Sequence, residues 1–191
     1  MKLKLIVGLS NPINLYYNTR HNIGSWYIKF LAKKYKKNLI KNKKYCFYYI
    51  DVKIGDYYSK LVIPDTYMNV NGTIIYNITN FYKIYSNEML IVHDDLDLDT
   101  GIARFKFNHK NSTHNGIKSI YKSFGAKCIF NTLRIGIGRP KLNKNINSYL
   151  LNNPSPKEEI LIKKTITKCI KCTDVLIKKN KDHAMNILHK K

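Results

Sequence analysis

Two segments with histidine and carboxylate side chains stand where buried elements are expected to begin or end. His93-Asp94-Asp95 directly follows the apolar run 89–92, and Thr19-Arg20-His21-Asn22 comes just before a helical pattern. Ser10-Asn11-Pro12 follows a third apolar run, residues 3–9. Because open α/β sheets hold their ligands at the carboxyl ends of their strands, these side chains are expected to meet. A neutral imidazole beside a carboxylate can take a proton from water at pH 7, which is general-base chemistry.

Each of these residue types also has a structural interpretation. A histidine at the start of a helix commonly caps the helix or is solvated, and an aspartate after a strand commonly caps a loop or can hold a metal. Asn69 and Asn115, in segments 67–72 and 113–116, each lie close to the start of a predicted helix, where asparagine is a common N-cap. Residue type alone leaves both interpretations open.

Apolar periodicity predicts strands and helices that alternate along the chain. The predicted strands are residues 3–9, 45–54, 57–63, 89–92, 103–107 and 133–138, and the predicted helices begin near residues 23, 68, 115 and 155. Gly55-Asp56 marks a hairpin between the second and third strands. Ser155-Pro156 with Glu158 forms a capping box for a long helix to about residue 179. These elements predict a single three-layer α/β/α domain over residues 1–191 with a central mixed sheet.

The charge of the chain favours a polyanionic partner. Its 191 residues include 34 Lys and Arg against 12 Asp and Glu, a formal net charge of +22. Such a surface attracts nucleic acid. Part of the charge has a plainer explanation, because abundant Lys, Asn, Ile and Tyr is the residue usage that AT-rich codons produce. The four arginines, Arg20, Arg104, Arg134 and Arg139, therefore carry more information than the lysines do.

Cysteine usage and hydropathy predict a cytoplasmic protein. The apolar run 3–9 is short for a signal peptide, and no later segment approaches the 18 or so apolar residues of a membrane span. Cys169 and Cys172 form a CxxC pair without the second pair or the histidines that a zinc site needs. We interpret them as structural thiols, with a metal or redox role as the alternative. A monomer is expected, because no long apolar surface helix stands out.

Six segments taken together resemble the bacterial-type peptidyl-tRNA hydrolase family. They come in the family's order over residues 3–189, and the ordered set is far more specific than any one of them. The segments are Lys4-Leu5-Ile6-Val7-Gly8-Leu9-Ser10-Asn11-Pro12, Thr19-Arg20-His21-Asn22-Ile23-Gly24, Pro64-Asp65-Thr66-Tyr67-Met68-Asn69, His93-Asp94-Asp95-Leu96-Asp97, His114-Asn115-Gly116 and Leu133-Arg134-Ile135-Gly136-Ile137-Gly138-Arg139-Pro140.

The resemblance implies an enzyme that cleaves the ester bond between a peptide and the 3′ ribose of tRNA, and so recycles prematurely released peptidyl-tRNA. It implies neither a metal nor an organic cofactor. His21 matches the family's catalytic histidine, and Asp94 matches the carboxylate that orients it. The two would form a dyad that activates water, because a carboxylate on one ring nitrogen fixes the tautomer and stabilises the imidazolium.

The resemblance also implies the residues that hold the peptide and the tRNA end. Asn11, Asn69 and Asn115 match amide residues that could bind the peptide backbone, the attacking water or the developing oxyanion. Tyr16 and Met68 match pocket walls near the terminal base and the peptide.

Binding of the tRNA body is expected to use charge instead of base recognition, since every peptidyl-tRNA must be accepted. Lys106 and Arg134 match the pair proposed in this family to hold the 5′-terminal phosphate of tRNA. The alternative is that they are two exposed cations at strand ends.

Two departures from the family pattern concern the backbone. Ile13 stands where family members usually have glycine, so the turn after Asn11 must avoid a positive φ. The loop before His114, residues 108–113, has no glycine where the family has a glycine-rich lid. This loop should reach fewer conformations than a glycine-rich one, while Lys110 could add a phosphate contact.

Two other classes of function compete with the hydrolase. The first is a non-catalytic RNA-binding protein on the same fold, which would not require His21, Asp94 and the three asparagines together. The second is a generic nucleotide-binding protein, which lacks its phosphate loop here. Gly136-x-Gly138 is followed by Arg139-Pro140 instead of a third glycine and a helix.

Overall fold

The computed structural model describes residues 2–107, 113–140 and 145–190. Its centre is a seven-stranded mixed sheet with the order β2-β3-β4-β1-β5-β7-β6. The strands are β1 (Leu5–Gly8), β2 (Ile40–Asn42), β3 (Phe47–Ile54), β4 (Tyr57–Pro64), β5 (Met89–Asp95), β6 (Ala103–Lys106) and β7 (Asn131–Gly136). The helices are α1 (Ile13–Tyr16), α2 (Ile23–Lys34), α3 (Asn71–Tyr82), α4 (Asn115–Phe124), α5 (Ile146–Leu151), α6 (Pro156–Lys178) and α7 (Lys181–His189).

The parallel strands bring the predicted functional segments to one edge of the sheet. β1 pairs in parallel with both β4 and β5, and β5 pairs in parallel with β7. The flanking pairs β2–β3, β3–β4 and β6–β7 are antiparallel. The carboxyl ends of β1, β4, β5 and β7 therefore lie side by side.

Helices cover both faces of the sheet. Along β5, Leu90 and Val92 belong to one apolar cluster, which includes residues of α2, α6 and α7. Met89 and Ile91 point the opposite way into a second cluster, which includes residues of α3 and α4. A strand with apolar residues on both faces is the pattern expected of a sheet buried on both sides. The predicted three-layer α/β fold with a mixed sheet is confirmed.

Two glycines let α2 approach the sheet closely. A Cβ atom added to Gly8 would lie 2.0 Å from the carbonyl oxygen of Gly24, and one added to Gly24 would lie 2.5 Å from the carbonyl oxygen of Val92. Any larger residue at either position would push α2 away from β1 and β5. This contact holds the residues just before α2 over the end of β5.

The local predictions are confirmed in part. Gly55 has a φ of +61° in the hairpin, and Ser155 and Glu158 exchange the hydrogen bonds of a capping box at the start of α6. The predicted strand 89–92 is too short, because β5 continues to Asp95. No helix in the described part of the chain is long and apolar enough to cross a membrane.

Candidate active site

A cavity of about 600 Å³ lies at the carboxyl edge of β5 and β7. Its wall combines side chains from both strands with residues that precede α2 and begin α4. Five residues proposed from the sequence line it together: His21, Asp94, Lys106, Asn115 and Arg134.

The centre of the cavity is the pair His21 and Asp94. His21 lies in a 3₁₀ turn just before α2, and its Nδ1 atom is 3.0 Å and 3.1 Å from the two carboxylate oxygens of Asp94. Both residues are buried. Burial by itself would raise the pKa of Asp94, but His21 and His114 beside it hold the pKa well below its usual range. Asp94 is therefore an acceptor, Nδ1 of His21 carries the hydrogen, and Nε2 is left as the basic atom.

Burial also acts on His21, where it lowers the pKa. The charge of Asp94 and the hydrogen bond to it outweigh burial, so that the pKa of His21 is raised above 6.5. The carboxylate thus makes the imidazole a stronger base and stabilises its protonated form.

His114 is a third member of this cluster and was not among the site residues predicted from the sequence. It is the N-cap of α4, where its Nδ1 atom accepts hydrogen bonds from the backbone N–H groups of Gly116 and Ile117 at 3.1 Å and 3.4 Å. Its Nε2 atom lies 3.0 Å from Oδ1 of Asp94. Because Nδ1 is an acceptor, the single hydrogen of the neutral ring is on Nε2 and is donated to Asp94. Burial lowers the pKa of His114, which keeps the ring neutral.

The ligand atoms of His21, Asp94 and His114 lie within 4.8 Å of one another, a spacing that could hold a metal ion. The hydrogen-bond directions oppose that use. To bind a cation through Nε2, His114 would have to move its hydrogen to Nδ1, where two backbone N–H groups already point. The cluster fits a hydrogen-bonded carboxylate between two imidazoles better than it fits a metal site.

His93 lies directly before Asp94 and supports the same cluster. Its Nδ1 atom donates to the backbone oxygen of Asp94 at 2.7 Å, and its ring centroid is 4.7 Å from that of His114. Burial lowers the pKa of His93 to about 3, with a smaller contribution in the same direction from the neighbouring ring of His114. His93 therefore stays neutral and packs against His114 without competing for the proton of His21.

Asn11 is held in place by two other asparagines. Asn22 pairs with its backbone, accepting from the N–H of Asn11 at 2.8 Å and donating to its carbonyl at 3.1 Å. Asn71 makes the same pair of bonds with the backbone of Ser10, at 3.1 Å and 3.0 Å. Both clamping side chains are fully buried. Neither Asn22 nor Asn71 is a site residue predicted from the sequence.

The side chain of Asn11 connects this segment to Met68. Its Oδ1 atom accepts the backbone N–H of Met68 at 2.9 Å, which leaves the Nδ2 group as its donor for a ligand. A Cβ added to Gly116 would lie 2.8 Å from Sδ of Met68 and 3.1 Å from Cε1 of His114. Met68 therefore packs beside the histidine cluster. Asn69 follows Met68 and is exposed, and Tyr16 is at the end of α1. The described residues that line the cavity include none of Asn11, Tyr16, Met68 and Asn69.

Neither Asn69 nor Asn115 has the capping role that local sequence favoured. Asn69 lies inside a 3₁₀ turn, Met68–Val70, and α3 begins after Val70 without a side-chain cap. Asn115 is the first residue of α4, one position after its cap. Both amides are exposed and available for a ligand.

Lys106 and Arg134 lie on neighbouring antiparallel strands. Lys106 of β6 pairs with Thr132 of β7, two residues before Arg134, so the two cations are diagonal neighbours on one face. Nε of Arg134 donates to Oδ2 of Asp95. Asp95 therefore orients the guanidinium, while Asp94, one residue earlier, serves the histidines.

The two departures from the family pattern have different outcomes. Ile13 starts α1 and is not among the residues with positive φ, which confirms the expectation for that turn. The expectation for loop 108–113, with Lys110, falls on residues outside the described part of the chain, Thr113 excepted. The CxxC pair of α6 is buried, and burial raises the pKa of both Cys169 and Cys172.

Comparison with known proteins identifies one family. The family model described as peptidyl-tRNA hydrolase matches residues 5–191. A peptidyl-tRNA hydrolase of Buchnera aphidicola subsp. Acyrthosiphon pisum is 43% identical over 166 residues, which are 87% of this chain and 94% of the relative. One from Photorhabdus laumondii is 38% identical over 187 residues, 98% of this chain and 95% of the relative.

Comparison of the fold with solved structures leads to the same family. The crystal structure of peptidyl-tRNA hydrolase from Acinetobacter baumannii at 1.00 Å resolution superposes with a TM-score of 0.91 and 33% sequence identity. The match covers 98% of this chain and 94% of that one. On the family match and the identity of its relatives, the chain belongs to the peptidyl-tRNA hydrolase family.

Proposed function

We propose that the protein hydrolyses peptidyl-tRNA at the ester between the peptide and the 3′ ribose of tRNA, with His21 and Asp94 as the catalytic dyad. The observation that carries the proposal is the bond from Nδ1 of His21 to the Asp94 carboxylate inside the cavity. This bond leaves Nε2 of His21 as the base, in a ring whose pKa is raised. Family membership supplies the class of substrate.

The reaction needs one proton to move twice. Nε2 of His21 takes a proton from water as the water oxygen forms its bond to the ester carbonyl carbon, and Asp94 stabilises the imidazolium. The tetrahedral intermediate then breaks its bond to the ribose oxygen, which receives the proton from His21. The products are the peptide acid and tRNA with a free 3′ hydroxyl group.

Amide groups around the dyad are suited to the remaining charges and contacts. Since Oδ1 of Asn11 is engaged by Met68, the Nδ2 group of Asn11 is a donor that can stabilise the oxyanion. Asn69 follows Met68, Asn115 is the first residue of α4, and both are exposed. We assign them to the first peptide group of the substrate. Tyr16 and Met68 remain proposed walls for the terminal base and the peptide.

Lys106 and Arg134 are proposed to hold the 5′-terminal phosphate of tRNA. Their diagonal placement on β6 and β7 presents two cations to one group. Asp95 takes the Nε side of Arg134 and so aims its two Nη groups at a ligand.

The proposed reaction uses no organic cofactor, because water is the nucleophile and His21 is the base. It uses no metal either, because the hydrogen-bond directions of His114 oppose metal binding at the dyad. We also propose that the monomer is active, since one chain supplies both His21 and Asp94.

The test is release of the N-acetyl-amino acid from an N-acetyl-aminoacyl-tRNA by the purified protein. His21→Ala should lower the rate by roughly 10²–10⁴-fold while tRNA binding stays within a few-fold. His183→Ala is the matched control, because His183 is an exposed histidine of α7. Full activity of the His21 variant would refute the dyad. Tight binding of tRNA without any hydrolysis by the unmodified protein would favour the alternative, a non-catalytic RNA-binding protein.

A further inference from the structure

A second cavity, of about 410 Å³, lies beside the outer face of α3. We call it the α3 cavity. Its lining includes Ile74, Ile78 and Phe81 of α3, together with Tyr45 and Phe47 from the β2–β3 turn and the start of β3. Thr66, which follows β4, also lines it.

The lining of the α3 cavity is mainly apolar and aromatic, with Asn42, Thr66 and Asn77 as uncharged polar members. Phe81 is 79% exposed and Tyr45 52% exposed, so two large rings face solvent next to a concave surface. Exposed apolar patches around a concavity commonly mark binding sites. Lys44 is the one charged side chain among the described residues that line the cavity. The phosphates of a nucleotide would meet a single cation in this cavity. An apolar side chain would contact the apolar and aromatic residues of the lining.

The sheet order places the α3 cavity on the opposite side of the dyad from the proposed phosphate site. Asp94 is on β5, the two cations Lys106 and Arg134 are on β6 and β7, and the α3 cavity adjoins β3 and the end of β4. Neighbouring strands lie about 4.8 Å apart, so β3 is roughly 14 Å from β5. If the phosphate of the RNA lies on one side of the dyad, the peptide extends towards the other.

The segment after β4 runs from the α3 cavity towards the histidine cluster. Sδ of Met68 and Cε1 of His114 both lie close to Gly116, and Thr66, two residues before Met68, lines the α3 cavity. Asn71 fixes this segment, because its Nδ2 group donates to the backbone oxygens of Thr66 and Tyr67 at 3.3 Å and 3.0 Å. An extended peptide covers about 3.3–3.6 Å per residue, so roughly four residues span the distance.

We infer that the α3 cavity is a subsite for an apolar side chain of the substrate peptide, about four residues from the ester. This inference rests on the proposed function. It predicts that the protein discriminates among peptidyl-tRNAs by the residue at this distance, in addition to requiring a first peptide group.

Cys46 permits a test that does not depend on turnover. It is exposed and lines the α3 cavity, whereas Cys128, Cys169 and Cys172 are buried. Peptidyl-tRNAs with an N-terminal bromoacetyl group and one to seven residues are incubated with the His21→Ala variant, so that the ester survives. The thiolate of Cys46 displaces bromide and forms a thioether, which mass spectrometry locates.

We expect alkylation of Cys46 to be fastest at about four residues and to disappear in Cys46→Ser. A rate that does not depend on peptide length, or that is equal for a bromoacetyl peptide without tRNA, would overturn the subsite. If alkylation of Cys46 were fastest at the expected peptide length but the unmodified protein hydrolysed no substrate, the hydrolase proposal would be refuted and the subsite would still be supported.

A kinetic test then addresses specificity. Five-residue peptidyl-tRNAs carrying Leu or Asp at the fourth residue from the ester are compared by kcat/KM. We expect a preference for Leu of roughly 5- to 10-fold, which Tyr45→Ser combined with Phe81→Ser should largely abolish. Tyr58→Ser is the matched control, because Tyr58 is 69% exposed and lies outside the cavity lining. An unchanged preference in the double variant, or an equal loss in the Tyr58 control, would refute the inference.

Discussion

His114 and Asp94 are joined by a hydrogen bond of 3.0 Å whose direction follows from the other side of the imidazole ring. Because Nδ1 caps α4, Nε2 must donate, and Oδ1 of Asp94 receives a hydrogen from two imidazoles. One residue thus ties the start of α4 to the carboxylate that orients the base. Asn115, next in the chain, is placed by the same contact.

The first prediction separates the two roles of His114, which are to cap α4 and to donate a hydrogen bond to Asp94. In His114→Asn, the shorter amide can still cap α4 but cannot reach Asp94, so we expect the free energy of unfolding to change little and kcat to fall roughly 10-fold. His114→Ala should lose about 1 kcal/mol of stability in addition. Denaturant unfolding and single-turnover hydrolysis measure the two effects. Equal kcat in the Asn variant and the unmodified enzyme would exclude a role for the Asp94 contact.

The second prediction concerns pH. Since the pKa of His21 is raised above 6.5 by Asp94, and only the neutral ring accepts a proton, kcat/KM should rise with pH through a pKa above 6.5. Asp94→Asn removes the charge that favours the imidazolium, so the maximal rate should fall by roughly 10²–10⁴-fold and the acid limb should move to lower pH.

Asp97→Asn is the control for Asp94→Asn, because Asp97 is exposed and contacts Arg139 instead of a histidine. Its pH profile should match that of the unmodified enzyme. If Asp95 or Asp97 variants lost more activity than the Asp94 variant, a different carboxylate would serve His21.

The third prediction concerns the proposed phosphate site. Lys106→Ala combined with Arg134→Ala should weaken binding of tRNA with a 5′ monophosphate and should affect dephosphorylated tRNA little. Removing one ion pair with a phosphate should reduce the salt dependence of log K by roughly 0.7–0.9. Lys164→Ala with Lys171→Ala is a matched pair, since both are exposed on α6. An identical loss of affinity for the two RNAs would mean that Lys106 and Arg134 act as general surface charge.

The fourth prediction tests the amides. If Asn69 and Asn115 bind the first peptide group, a free aminoacyl-tRNA lacks that group and carries an ammonium that must be desolvated. The enzyme should hydrolyse N-acetyl-aminoacyl-tRNA at least roughly 10-fold faster than the free form, and Asn→Ala at either position should narrow the difference. Equal hydrolysis of both substrates by the unmodified enzyme would contradict the assignment.

The fold class followed from apolar periodicity because each central strand is buried on both faces. The end of β5 could not be predicted from apolar periodicity, because His93, Asp94 and Asp95 interrupt the apolar run although all three are buried. The carboxylates of Asp94 and Asp95 are paired with distant partners, His21, 73 residues away, and Arg134, 39 residues away. Contacts over such separations leave no mark on local hydropathy.

His114 was missed for a related reason. Asparagine is the better-known N-cap, so the sequence favoured Asn115 as the cap of this helix instead of the histidine that precedes it. Its Nδ1 caps locally, while its Nε2 reaches a carboxylate 20 residues earlier. The signal that could have found it is that the family-like segments contain a third histidine, beside His21 and His93. Asn22 and Asn71 belong to the same class, because each clamps a backbone distant in sequence.

The far edge of the sheet depends on a residue made much later in synthesis. The backbone N–H of Phe105 on the outermost strand β6 donates to Nε2 of His189 at 3.0 Å, a bond that spans 84 residues. At roughly 5–20 residues per second, the ribosome needs about 4–17 s to pass from one to the other. During that interval β6, which carries Lys106, has an unpaired edge of the kind that invites pairing with another chain. A nascent chain should therefore need protection at β6 until α7 emerges and covers it.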